Sequence, residues 1–168
     1  LQGIYSFVDA FTGRRKSSAD YSDLAARHLR RVYIGLESGD DELLRFLCKG
    51  STAEDARRTV ETIKAGGVDV GVILMLGVGG RQFSEAHVRR SIEVINAMNL
   101  GGHDILYFSP FFDFAGSEYS QRAQEWGVEP LSGAEMDAQI AAIRRGLRFS
   151  SPTGRPKIAV YDIREFIY

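Results

Sequence analysis

Four runs of apolar, β-branched and aromatic residues recur along this chain, and their spacing constrains the fold more than any other feature of the sequence. The runs are Ile4–Phe11, Val32–Glu37, Val70–Leu76 and Asp104–Phe108. They start about 28, 38 and 34 residues apart, and each interval is close to one strand plus one crossover helix. The runs are continuous rather than alternating, the pattern of parallel strands covered on both faces. Between them the period turns helical. Ser51-x-x-Glu54 reads as a capping box, and Ala56, Val60 and Ile63 follow on one helical face. Gly66-Gly67 closes that helix with residues that tolerate a left-handed backbone. The next helix is predicted from near Ser84, with Val88, Ile92 and Ile95. A third is predicted from the capping box Ser132-x-x-Glu135, with Met136, Ile140, Ile143 and Leu147. The order β-α-β-α-β-α-β, with more helix after it, predicts an α/β fold built on a parallel sheet.

A chain of 168 residues, 44% of them hydrophobic, can fill one core. The clearest linker is Ser150-Ser-Pro-Thr-Gly-Arg-Pro156, which divides an α/β unit at 1–149 from a tail at 150–168. That tail alternates and carries aromatics, as a short strand or a docked segment would. With 21 Lys and Arg against 22 Asp and Glu the formal charge is -1, which leaves no basic surplus for nucleic acid or an anionic membrane. No apolar run reaches the roughly 18 residues of a bilayer span, and no secretory signal opens the sequence. The expectation is a cytoplasmic domain. The one cysteine, Cys48, excludes an internal disulfide and any all-cysteine metal or cluster site made by this chain alone.

In parallel α/β sheets ligands gather at the carboxyl ends of the strands. Here those ends read Asp9, then Gly35-Leu-Glu-Ser-Gly39, then Leu76-Gly-Val-Gly-Gly80, then Phe108-Ser-Pro-Phe-Phe-Asp113. Glu37 stands out. It is either an acceptor for ligand hydroxyls or an ammonium, or an acid capping the helix that begins near Asp40. The turn at Gly77–Gly80 is either a plain tight turn or one that lets backbone approach a ligand. It is no dinucleotide fingerprint, because Gln82 stands where glycine is required, and it lacks the Gly-Lys-Ser/Thr ending of a phosphate loop. Lys49-Gly50 fits a helix end, with a basic residue followed by a terminating glycine. His28, His87 and His103 have no metal-ligand spacing and are expected on helix or loop surfaces. Cys48 is expected to be buried. No catalytic triad can be argued from spacing.

The segment Arg31-Val-Tyr-Ile-Gly-Leu-Glu-Ser-Gly-Asp-Asp-Glu-Leu-Leu-Arg-Phe-Leu-Cys-Lys-Gly50 resembles the fourth strand and following helix of radical S-adenosylmethionine (radical SAM) enzymes. The branch it resembles includes oxygen-independent coproporphyrinogen oxidase and the elongator catalytic subunit. The resemblance continues through Thr52-Ala-Glu-Asp-Ala56, Val70-Gly-Val-Ile-Leu-Met-Leu-Gly77, Gly79-Gly80, Tyr107-Phe-Ser-Pro110, Gly116-Ser-Glu-Tyr119 and Pro130-Leu-Ser132. It implies a partial (β/α) TIM-type barrel that binds S-adenosylmethionine (SAM) against a [4Fe–4S] cluster and generates a 5′-deoxyadenosyl radical. In such enzymes three cysteines spaced C-x3-C-x2-C after the first strand hold the cluster, and a Gly-Gly-Glu motif after the second holds the methionine amino group. Neither motif occurs here. The resemblance therefore places this chain at strands three to six, as the C-terminal portion of a radical SAM enzyme. It would be inactive alone, its partner would be the N-terminal part of the barrel, and its first strand would be an exposed edge open to self-association.

By the same resemblance Glu37 and Ser38 match the position that contacts the ribose and methionine end of SAM, and Lys49 matches a basic position facing that end. Met75 to Gly77 match the fifth-strand motif near adenine, without its usual closing glutamate. Ser109 to Phe111 match the sixth-strand end, where backbone meets adenine. No residue is assigned to catalysis or to a metal. Two other readings stand beside this one. The chain could be a non-catalytic binding or interaction module derived from half a barrel, or a phosphate-handling α/β enzyme with an anion on the glycine turn. The substrate is not legible.

Overall fold

The computed structural model describes residues 3–13 and 15–160. Among them, five strands form one sheet in the order β1-β2-β3-β4-β5. They are β1 Ile4–Val8, β2 Leu29–Glu37, β3 Asp69–Leu76, β4 Ile105–Pro110 and β5 Lys157–Val160. Every neighbouring pair is parallel. The connections carry α1 Ala10–Gly13 and α2 Ser18–Ala26, then α3 Asp41–Phe46 and α4 Ala53–Ala65. After these come α5 Gly80–Ala97, α6 Glu118–Glu125 and α7 Gly133–Gly146. Where strand order follows chain order and crossovers are right-handed, the connecting helices fall on one face of the sheet.

That face is the core. Val32, Ile34 and Leu36 of β2, Val70, Val72, Leu74 and Leu76 of β3, and Leu106 and Phe108 of β4 are buried with Val60, Ile63, Ile95 and Ile143 of the helices. Each such side chain contributes roughly 1.5–3 kcal/mol on burial. The alternate residues lie on the other face and are half-buried, among them Tyr33, Glu37, Ile73, Met75, Tyr107 and Ser109. There Phe7 stacks on Tyr33 at 5.0 Å and Tyr33 meets Tyr107 at 6.0 Å between ring centroids. The result is an α/β half-barrel with an open concave face. β1 is an edge strand, with Ile4, Tyr5 and Phe7 exposed by 42%, 59% and 70%. No helix among the described residues is long and apolar enough to cross a membrane.

Several boundaries differ from the sequence reading. β1 stops at Val8, because Asp9 Oδ1 accepts from the Phe11 N–H at 2.7 Å and turns the chain into α1. The cap of α4 is Thr52 with Asp55, one residue on from Ser51 and Glu54. α5 starts at Gly80 instead of near Ser84, since Gly79 at φ +76° serves as an N-cap with no side chain. The alternating segment after the linker supplies β5, which pairs with β4; the part of the tail from 161 onward lies outside the described residues. His87 is fully buried, not on a surface, and Cys48 is exposed, not buried. Cys48 adopts φ +56° just past the end of α3, where the backbone turns outward.

Candidate functional site

The site is built by three consecutive residues that go three different ways. Leu36 points into the helix-side core and is buried. Ser38 is also fully buried, but against α5. Its hydroxyl accepts from the Asp40 N–H at 2.9 Å and lies 2.8 Å from His87 Nδ1, while the Gly39 N–H donates to the Ser91 hydroxyl at 2.9 Å. Gly39 is obligatory, because a Cβ there would overlap the α5 backbone at Arg90 and Ser91. Burial disfavours the imidazolium, so the ring is neutral, and either tautomer closes the bond between Nδ1 and the Ser38 hydroxyl, which has one proton to give and two lone pairs to accept with. Burial pushes the pKa of His87 down to about 4, against opposing pulls from the Met75 carbonyl and the Asp40 charge.

Glu37 is held between these anchors. The Ser38 N–H donates to the Leu36 carbonyl at 2.7 Å, and Glu37 has φ +59°. This is the rare positive-φ form of the γ-turn, a strain of order 1–3 kcal/mol for a residue with a side chain. The turn lays the carboxylate over Gly35, where any Cβ would overlap it. Glu37 caps nothing. The N-cap of α3 is Asp40, which accepts from the Leu43 N–H. Glu37 Oε1 instead accepts from Lys49 Nζ at 3.0 Å. Lys49 reaches it because Cys48 reverses the chain and the Lys49 N–H returns to the Leu44 carbonyl at 2.9 Å.

The structure brings five of the seven expected positions to one cleft of about 480 Å³: Glu37, Lys49, Met75, Ser109 and Phe111. Gly77 lies on an adjoining cleft of about 300 Å³ that shares Phe111 and Tyr119. Ser38 is beneath the rim and acts on the cleft only by fixing Glu37. A further cleft of about 290 Å³ lies toward β1 and shares the Glu37–Lys49 pair. Met75 and Ser109 are register partners on β3 and β4, which is why they sit side by side.

The glycine turn is not an anion cradle. Gly77, Gly79 and Gly80 all have positive φ, but their N–H groups are spent inside the fold. Gly77 donates to Gln139 Oε1 at 2.8 Å, Gly79 to the Tyr119 hydroxyl at 3.0 Å and Gly80 to the Gly77 carbonyl at 3.2 Å. The Arg81 N–H goes to the Glu129 carbonyl at 2.8 Å. A phosphate-handling site on this turn is therefore excluded. Burial raises the Tyr119 pKa, while the Gly79 N–H that its oxygen accepts pulls the other way.

Sequence reasoning passed over Tyr119 and Arg122, both on the main cleft, and the buried His87 and Ser91 that anchor its floor. Tyr119 fell inside a quoted segment. Arg122 and His87 carry no local signal, since their partners Phe46 and Ser38 are far away in sequence.

Residues 12–95 match the family model described as the Radical SAM superfamily. Two solved structures share the fold. One is the archaeal Methanocaldococcus infernus Elp3 with an N-terminal deletion (TM-score 0.66, 16% identity), matched over 95% of this chain and 38% of that one. The other is methylornithine synthase, PylB (TM-score 0.61, 13% identity), matched over 94% of this chain and 47% of that one. The chain thus spans less than half the length of either structure. No curated protein matches the sequence.

Proposed function

This chain belongs to the radical SAM superfamily, and from that premise we propose that its rim cleft is the SAM-facing part of a larger enzyme whose remaining barrel strands lie elsewhere in the protein. The observation that carries the reading is the strained Glu37 turn, which holds a carboxylate at a strand end over a cleft shared with Lys49, Met75, Ser109 and Phe111. The donor set suits SAM. Glu37 offers oxygens to an ammonium or to ribose hydroxyls, Lys49 holds that carboxylate in place at the rim, and Met75 and Phe111 offer apolar wall to the adenine. Bound SAM would supply the 5′-deoxyadenosyl radical that abstracts hydrogen from substrate. Ser38, His87 and Ser91 position Glu37 by clamping the strand end onto α5.

The residues here do not fit the iron–sulfur cluster. The chain has one cysteine, exposed just past α3, and among the described residues no three His, Cys, Asp or Glu side chains form a metal-holding group. Three thiolates must come from outside this sequence. The open edge of β1 suits the missing half of the barrel, which would complete the sheet by parallel pairing.

The test is calorimetric titration of SAM into the protein in which a cluster-binding segment precedes this chain. Glu37→Ala is expected to weaken binding about 10- to 150-fold, the range of a charge-assisted hydrogen bond. Asp113→Ala, on the exposed loop beyond β4, is expected to change it less. SAM affinity within about twofold of the parent in Glu37→Ala would overturn the ligand role.

A further inference from the structure

Arg122 lines the main cleft beside Lys49, Phe111 and Tyr119, and none of the motifs above gives it a role. It is half-buried. Its Nη1 donates to the Phe46 carbonyl at 2.8 Å, at the end of α3. Its guanidinium lies over the Phe46 ring, 5.9 Å from the centroid. One arm of the fork and the tilt of the plane are thereby fixed. The two cations on the cleft differ in one respect. Lys49 is committed to Glu37, whereas Arg122 makes no ion pair among the described residues, although Glu118 is one helical turn away and lines the same cleft. A guanidinium held rigid, partly desolvated and without a counter-ion on a cleft wall is a preorganised anion donor.

We infer that Arg122 binds the carboxylate of the molecule on which the enzyme acts, so that its substrate is a carboxylic acid. The inference rests on reading this cleft as the reaction site, with Glu37 and Lys49 serving SAM and Arg122 left for the second occupant. A single uncommitted cation matches one negative charge, and the planar fork of arginine matches a planar carboxylate. A phosphate dianion would find only half of its charge met.

The experiment uses Cys48, the chain's one cysteine, which is exposed on the same cleft. Its alkylation by a neutral reagent reports whether the cleft is occupied, and the assay runs without SAM. N-acetylglycine is expected to slow alkylation saturably, and its neutral isostere N-acetylglycinamide to leave the rate unchanged. Arg122→Gln should raise the half-protecting concentration about 10-fold or more. Arg122→Lys keeps a donor for the Phe46 carbonyl in case the glutamine variant unfolds, and it too should lose protection because it lacks the fork. The inference is overturned by equal protection from the amide, by no protection from the acid, by unchanged protection in Arg122→Lys, or by inorganic phosphate protecting better than the acid. SAM, which carries a carboxylate of its own, is titrated separately into the parent and into Arg122→Gln, and SAM affinity that falls in the variant as far as acid protection does would assign the arginine to SAM and overturn the inference. Acid protection without SAM binding would sink the SAM reading while leaving the anion site standing.

Discussion

Lys49 Nζ and Glu37 Oε1 stand 3.0 Å apart across the rim, with the lysine side chain 37% and the glutamate 16% exposed. A pair this open contributes about 0–1 kcal/mol to folding, less than the strain of the turn that presents the glutamate. The fold therefore holds this carboxylate in place at a net energetic cost. Lys49→Met is expected to change the unfolding free energy by less than about 1 kcal/mol in urea denaturation. A loss beyond about 2 kcal/mol would make the pair a structural element.

The turn itself gives a sharper test. At φ +59° a glycine is favoured over any residue with a Cβ by about 1–2 kcal/mol. Glu37→Gly and Glu37→Ala both remove the carboxylate, but only the glycine relieves the backbone. The glycine variant should therefore be more stable than the alanine variant by about 1–2 kcal/mol, with SAM binding weakened in both. Equal stabilities in urea melts would show that the positive φ carries no strain.

His87 sets an acid limit on the fold. Its folded pKa, about 4, lies below the ordinary value of 6.5 because burial disfavours the imidazolium. The unfolded chain thus binds the proton first as pH falls, and stability drops between about pH 6.5 and 4. The loss is on the order of 3 kcal/mol. Asp40 faces the ring, with Arg90 3.5 Å from that carboxylate. Most carboxylates titrate below this window, so His87→Gln should flatten the stability–pH curve between pH 5 and 6.5 (roughly the upper part of the histidine range). Denaturant melts across that interval decide it, and an unchanged slope in the variant would refute the assignment.

The strands were legible because one face is buried under the helices and the other still carries half-buried apolar residues such as Tyr33, Ile73, Met75 and Tyr107, so they are written as apolar runs. Val70–Leu76 and Val32–Glu37 lie inside β3 and β2 as found. β5 was ambiguous because it is short and opens on Lys157, which leaves only Ile158, Ala159 and Val160 as an apolar run. Caps slipped where two patterns overlap. Ser51-x-x-Glu54 and Thr52-x-x-Asp55 are both capping boxes, and the second wins because the Ala53 N–H is taken by Asp41 Oδ1 at 2.8 Å. The start of α5 was hidden because three glycines read as loop. The site was half legible. Glu37 follows from its place at a strand end, but its turn depends on Ser38 meeting His87 and Gly39 meeting Ser91 across about 50 residues of chain. No local pattern encodes that.

Asp104 is a hub that composition does not reveal. It is buried, and its carboxylate accepts from the Val70 N–H at 3.0 Å, the Gly101 N–H at 2.8 Å and the Lys64 ammonium. It ties the start of β3 to the loop before β4. Asp104→Ala leaves two backbone donors unpaired, and we expect it to cost about 3–5 kcal/mol. Asp104→Asn keeps one acceptor and should cost less. If the two variants melt alike, the backbone bonds are not what Asp104 supplies.

The last prediction concerns iron. A [4Fe–4S] cluster of a radical SAM enzyme needs three thiolates from the protein, and this sequence offers only Cys48. Anaerobic reconstitution of this chain with iron and sulfide should therefore leave a colourless protein with close to no iron after gel filtration. Cys48→Ser should behave identically. Because Cys48 is exposed, several chains could share a cluster through it, and such a species would elute as an oligomer and vanish in the serine variant. Joining the chain to an upstream segment that carries C-x3-C-x2-C should restore iron binding. A brown monomer retaining about four irons without that segment would show that ligands other than cysteine hold the cluster, and the assignment of the missing half-barrel as their source would fall.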